Sequence, residues 1–172
     1  KNKKNNKYKN EIEDFVITNK RINFNKNFLF KKNTNKIFRI FYLAQKKNLD
    51  IHPIALRLII KNLSKIDKNI SKKKEILDIF IKILTSKKNP EKYLKLINET
   101  ELLGKLIPDF QKIVGQMQFG GFHTFTVDEH TLRAIGILNQ IETNKKKELY
   151  NEIFSEILSP KVLYIALFFH DL

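Results

Sequence analysis

From Thr34 onward the apolar residues return at helical spacing, and polar or proline-containing breaks cut that pattern into short packed helices. Ile37, Ile40, Phe41 and Ala44 recur at i, i+3, i+4 and i+7 behind Thr34, a suitable N-cap. Pro53 sits where a first helical residue is favoured and opens a second helix through Leu56, Ile59, Ile60 and Leu63. Ser71 is expected to cap a third, carrying Ile76, Leu77, Phe80, Ile83 and Leu84, and Asn89-Pro90 to open a fourth with Tyr93, Leu94 and Ile97. His52, just before Pro53, reads as a helix-start residue rather than a ligand. Upstream, Phe15-Val16-Ile17 and Arg21–Phe24 flank Thr18-Asn19-Lys20 and suggest a short hairpin with Asn19 in its turn. Lys1–Asn10 is low-complexity Lys/Asn with almost nothing to bury, and disorder is expected there.

The second half is punctuated differently. Gly104 and Pro108 break a helix around Leu102–Ile107, and Phe110–Phe125, with Gly115, Gly120 and Gly121, reads as loop. Thr126-Val127-Asp128-Glu129 fits a capping box, so a helix should begin at Val127, with Asp128 and Glu129 as cap residues rather than ligands. His130 then lies in the first turns, and Ala134, Ile137, Leu138 and Ile141 put it on or beside the inward face. After a polar break at Lys145–Glu148, Tyr150–Leu158 reads as another helix and Pro160 opens the last. The apolar run Val162–Phe169 is expected to be buried, being far short of the roughly 20 residues that cross a bilayer.

The 172 residues suit one domain or one plus part of another, and a hydrophobic content of 42% is enough for a core. Both ends look cut from a longer chain, since the first residue is Lys1 and the last lies beside an apolar helix. Glu11, Glu13 and Asp14 interrupt any export signal, and the absence of cysteine excludes disulfides and thiolate metal sites, so a cytoplasmic setting is expected. A net charge of +15 with pI ≈ 9.8 invites a nucleic-acid reading. However, the lysines are scattered over every segment, and only Arg21, Arg39, Arg57 and Arg133 could make bidentate phosphate forks. Nucleic acid and membrane are therefore not the expected partners.

Three of the four histidines, His123, His130 and His170, fall in the last third. His170-Asp171 ends an apolar helix, as a phosphohydrolase's metal-ligand pair does, and 40 residues separate it from His130, enough for one helix to leave a site and another to return. Imidazole with carboxylate suits Mn, Fe, Zn or Mg. The dipeptide alone is common by chance.

The segment Leu102–Leu132, LLGKLIPDFQKIVGQMQFGGFHTFTVDEHTL, followed by ALFFHDL, resembles the start of the HD domain in bacterial PII uridylyltransferase/uridylyl-removing enzymes. The stretch FRIFYLAQKKNLDIHPIALRLI is similar to that family's helical connector. The resemblance implies an all-α fold with a possible N-terminal β-hairpin: a disordered segment at 1–10, hairpin and connector over 11–100, and the first part of a metal-dependent HD phosphohydrolase domain over 101–172. It also implies that His130, His170 and Asp171 are metal ligands, with His170 and Asp171 catalytic and a further aspartate beyond Leu172. His123 would be substrate-binding, facing the phosphate or backing the ligands, although a structural loop histidine fits the same position. The implied cofactor is a divalent metal, Mg or Mn first, and the implied reaction is hydrolysis of the bond between UMP and a tyrosine of PII. The partners would be PII and its uridylylated form. UTP, UMP and glutamine would be handled by parts of the full-length protein absent here, because no Gly-Ser motif followed by Asp-x-Asp is present. The 172 residues alone are therefore not expected to transfer UMP or sense glutamine. The alternatives are another HD-family phosphohydrolase, an RNA-binding helical module like that of a tRNA nucleotidyltransferase, or a purely structural connector.

Overall fold

A computed structural model describes residues 14–26, 28, 30, 34–67, 69–117, 125–143 and 149–172. The expected Lys/Asn-rich disorder, the Lys145–Glu148 break and His123 all lie outside these residues. Strands β1 (Phe15–Thr18) and β2 (Arg21–Phe24) pair antiparallel, with Thr18 opposite Arg21. Only Asn19 (φ 50) and Lys20 (φ 59) remain to turn the chain, and positive φ at both positions is what a tight hairpin with right-handed strand twist requires. A third strand, β3 (Asp50–Ile51), joins β2 in parallel, Ile22 lying opposite Ile51. Two residues carry no periodicity, so this strand was invisible in the sequence.

Helix α1 (Thr34–Lys47) buries Ile37, Phe38, Ile40, Phe41, Leu43 and Ala44. Helix α2 (Pro53–Lys61) starts as expected: His52 is its N-cap, Nδ1 accepting from the Ile54 amide at 3.2 Å. The helix stops short of Leu63, which falls in a 3-10 turn. Ser71 does not cap α3 (Lys74–Leu84). It sits in a 3-10 turn over Ile70–Lys72, and the helix begins only after Lys73. Asp67 accounts for the delay: its carboxylate takes the Asn69 amide at 2.9 Å and pairs with Lys73 at 2.9 Å, a local bonding pattern that competes with helix. Helix α4 (Pro90–Glu99) starts at the expected place, Asn89 in the left-handed region accepting from the Lys92 amide at 3.1 Å.

Helix α5 (Leu102–Leu106) is followed by α6 (Pro108–Ile113), which overturns the expectation of loop from Phe110. Phe110 is fully buried and Ile113 nearly so; burying a Phe outweighs the weak turn signal of nearby glycines. Helix α7 (Val127–Thr143) begins where the capping box placed it. Its buried face is Asp128, Thr131, Leu132, Ile135, Leu138 and Asn139, while Ile137 is half exposed. The inward face was misread because three of its members are polar residues whose hydrogen bonds are made inside the protein. The Thr131 hydroxyl donates to the Val127 carbonyl at 3.0 Å, and the Asn139 amide to Ser86 O at 3.0 Å. Helix α8 (Leu149–Ser155) is shorter than expected and has no buried residue.

Helix α9 (Pro160–Phe169) corrects a further expectation. Of the run Val162–Phe169 only Tyr164 and Phe168 are buried, and Val162 and Phe169 are exposed. Tyr164 hydrogen bonds with Asn139 at 3.2 Å and donates to Glu142 at 2.9 Å, tying α9 to α7. Phe168 stacks on Phe110 (5.3 Å, 8°) and meets Phe80 edge to face (5.3 Å), tying the other end to α6 and α3. One core thus runs from Phe15 to Phe168, helical around a three-stranded sheet. No helix among the described residues is long and apolar enough to cross a membrane. Phe168→Ala should cost about 3–5 kcal/mol, and Phe169→Ala, on the exposed side, about 1 kcal/mol or less. Urea denaturation of the two variants checks this, and equal costs would contradict the assigned packing.

Candidate metal centre

The two ends just described converge. His130 lies in the first turn of α7, its amide bonded to the Thr126 carbonyl at 2.8 Å, and His170-Asp171 follow the last residue of α9. His130, His170 and Asp171 each offer a ligand atom, and these atoms all lie within 4.8 Å of one another. The imidazole centroids are 6.0 Å apart. All three side chains are reachable by solvent, with 37% of the His170 and 26% of the Asp171 side chain exposed. The structure brings together the three residues read as ligands from the sequence.

The hydrogen bonds around His170 constrain what can occupy this space. Its Nδ1 lies 2.6 Å from the Leu167 carbonyl, which can only accept, so Nδ1 carries the proton. Its Nε2 lies 3.1 Å from Asp171 Oδ2. A backbone carbonyl on one ring nitrogen, leaving the other for the ion, is a usual setting of a metal-ligating histidine. Two nitrogens and a carboxylate oxygen therefore fit a divalent cation, with room for water or substrate in its remaining positions.

Asp128 was expected only to cap a helix, but it does more. It is buried, receives the Asn98 amide at 2.8 Å and the Gly115 amide at 3.1 Å, and thereby joins α7 to α4 and to the end of the segment after α6. Burial pushes its carboxyl up, and hydrogen bonds from Thr126, Gly115, Asn98 and Glu129 more than offset this, leaving the pKa below the ordinary value. Four donors and burial cannot be read from TVDE alone. Gly136 makes the same junction close, since a Cβ there would run into the Glu91 side chain of α4. Away from the cluster, a cleft of about 300 Å³ opens among Lys87, Glu142, Asn151, Phe154 and Pro160. It lies at the Pro160 end of α9, roughly 15 Å of helix from His170, and shares no residue with the ligands.

Residues 15–106 match the family model described as the uridylyltransferase GlnD third domain. The chain belongs to the GlnD uridylyltransferase family. It is 38% identical over 165 residues to the bifunctional uridylyltransferase/uridylyl-removing enzyme of Azospirillum brasilense, covering 94% of this chain and 18% of the relative. The enzyme of the same name from Zymomonas mobilis subsp. mobilis is likewise 38% identical over 165 residues, with 94% and 18% covered. The chain thus spans less than a fifth of the length of these relatives. No solved structure matches it.

Because the folded pKa of Asp128 is depressed, its stabilisation is complete above the unfolded value of about 3.9 and is lost as pH falls through the lower folded value. Asp128→Asn should be less stable than the wild type at pH 7 by about 2 kcal/mol, with the gap closing below about pH 4. Urea midpoints at pH 7 and pH 3 test this; a gap that stays constant would refute the charge-based account.

Proposed function

We propose that this chain carries the uridylyl-removing side of the bifunctional enzyme, a metal-dependent phosphodiesterase acting on uridylylated PII. The observation that supports it is the meeting of His130, His170 and Asp171, ligand atoms within 4.8 Å, in a member of a family whose relatives are named for removing uridylyl groups. On this reading the segment from about residue 101 is the beginning of an HD-type domain, and the preceding helices are the connector. His130, His170 and Asp171 would hold a divalent ion, Mg or Mn, which when bound acidifies water and polarises a phosphoryl oxygen. The protein's own contributions are separable from that. Leu167 O fixes the His170 tautomer so that Nε2 keeps its lone pair. Asp171, beside it at 3.1 Å, supplies negative charge and an acceptor for a proton on the nucleophile's side. Asp128 holds the α7 start, and His130 with it, against α4.

Uridylyl transfer from UTP and the response to glutamine belong, on the same reading, to other parts of the full-length protein. An RNA-binding module gains no particular support, because the lysines are scattered along the sequence and none lies in residues 126–134 or 166–172 beside the cluster.

In the full-length protein, Mn²⁺ should raise the melting temperature, since an ion at about 100 times its Kd adds about 2.7 kcal/mol of stability. His130→Ala and Asp171→Ala should each abolish the shift and stop release of UMP from uridylylated PII. An undiminished Mn²⁺ shift in both variants would sink the assignment.

A further inference from the structure

We propose that Arg133 is the side chain that grips the substrate's phosphate beside the metal cluster, with the Phe125 ring holding it in place. This rests on the phosphodiesterase reading above and adds a residue to it. Arg133 follows His130 by three positions on α7, and residues at that spacing share one side of a helix about 5–6 Å apart. Its guanidinium carbon lies 4.7 Å from the centroid of the Phe125 ring. That contact explains how an exposed, long side chain is kept in one place: the cation lies over the ring and is attracted to its negative face. A contact with a ring consumes no hydrogen-bond acceptor, and the guanidinium's fork of N–H donors is the edge that makes bidentate bonds to phosphate.

Charge points the same way. The cluster supplies two imidazoles and a single carboxylate, and a phosphodiester brings another negative charge. In the stretches flanking the ligands, residues 126–134 and 166–172, Arg133 is the only lysine or arginine. Among the described residues no carboxylate pairs with it, so its charge is uncommitted, unlike Lys95, Lys112 or Lys92, each of which is held by an acidic neighbour. Of the four arginines, it alone shares a helical turn with a ligand.

The test uses the full-length protein with UMP as probe, counting only the Mn²⁺-dependent calorimetric binding that His130→Ala removes, which excludes any nucleotide site elsewhere. Arg133→Ala and Arg133→Gln should each weaken that binding about tenfold or more, the scale of a lost charge-assisted hydrogen bond, with the Mn²⁺ melting shift unchanged. Arg133→Lys, which keeps the charge but not the fork, should recover it only partly, and the KM for uridylylated PII should rise in the same order. UMP affinity within twofold of the wild type in both Arg133→Ala and Arg133→Gln would overturn the proposal, as would loss of the Mn²⁺ shift in both, which would make Arg133 a structural residue. No Mn²⁺ shift in the wild type would instead bring down the phosphodiesterase reading itself.

Discussion

The stacking of Phe168 between Phe80 and Phe110 decides where the candidate site is. Helix α9 is apolar nearly all round, and a helix of that kind has no rotational preference of its own. Only two of its side chains, Tyr164 and Phe168, are buried, four residues apart on one stripe, and they set its rotation. His170 and Asp171 follow Phe168 by two and three positions, so their direction comes from the ring contacts. The magnitudes support this order of cause. Truncating a buried Phe costs about 3–5 kcal/mol, whereas a solvent-reachable polar contact such as that between His170 and Asp171 contributes about 1 kcal/mol or less. Packing therefore places His170 and Asp171, and their contact does not place the helix.

The partner half of the site is positioned by polar chemistry. Helix α7 could slide along α4 if only Leu132 and Ile135 fixed it, since apolar contacts are non-directional. Asp128 removes that freedom by taking donors from Asn98 on α4 and from Gly115, in a buried setting where an unpaired donor would itself be costly. Asn139 and Tyr164 perform the equivalent task further along, where α7 meets α9. Phenyl packing holds α9 and a directional polar network holds α7, and the Asn139–Tyr164 bond couples the two.

Legibility in the sequence followed the range of the forces involved. Features set by a few adjacent residues were read correctly: the Asn19 turn, the starts at Pro53 and Asn89-Pro90, and the helix beginning at Val127. Features set by distant partners were not. Helix α6 formed because Phe110 had a pocket to fill, and β3 exists because β2 offers an edge, while Ser71 lost its cap to a competing local pattern between Asp67, Asn69 and Lys73. The inward face of α7 was assigned to Ile137 when Asp128, Thr131 and Asn139 were the buried residues. For the candidate site, the approach of His130 to a pair 40 residues away was suggested by motif order and not by any local pattern. Asp128 escaped because a cap residue and a buried bridge look alike in a four-residue motif.

The cluster lies where neither helix is buried, on the side of α7 that carries His130, Arg133 and Ile137. Exposed side chains are free to turn, so such a site needs some local restraint to be preorganised. For His170 the restraint is the Leu167 carbonyl on Nδ1, which removes the ring-flip and the wrong tautomer together. For Arg133 it is the Phe125 face. Neither restraint engages His170 Nε2, which faces Asp171 Oδ2 at 3.1 Å, and the ring contact of Arg133 consumes no hydrogen-bond acceptor. On the metal-site reading, restraints that hold these side chains without engaging His170 Nε2 or the guanidinium donors are what preorganisation requires.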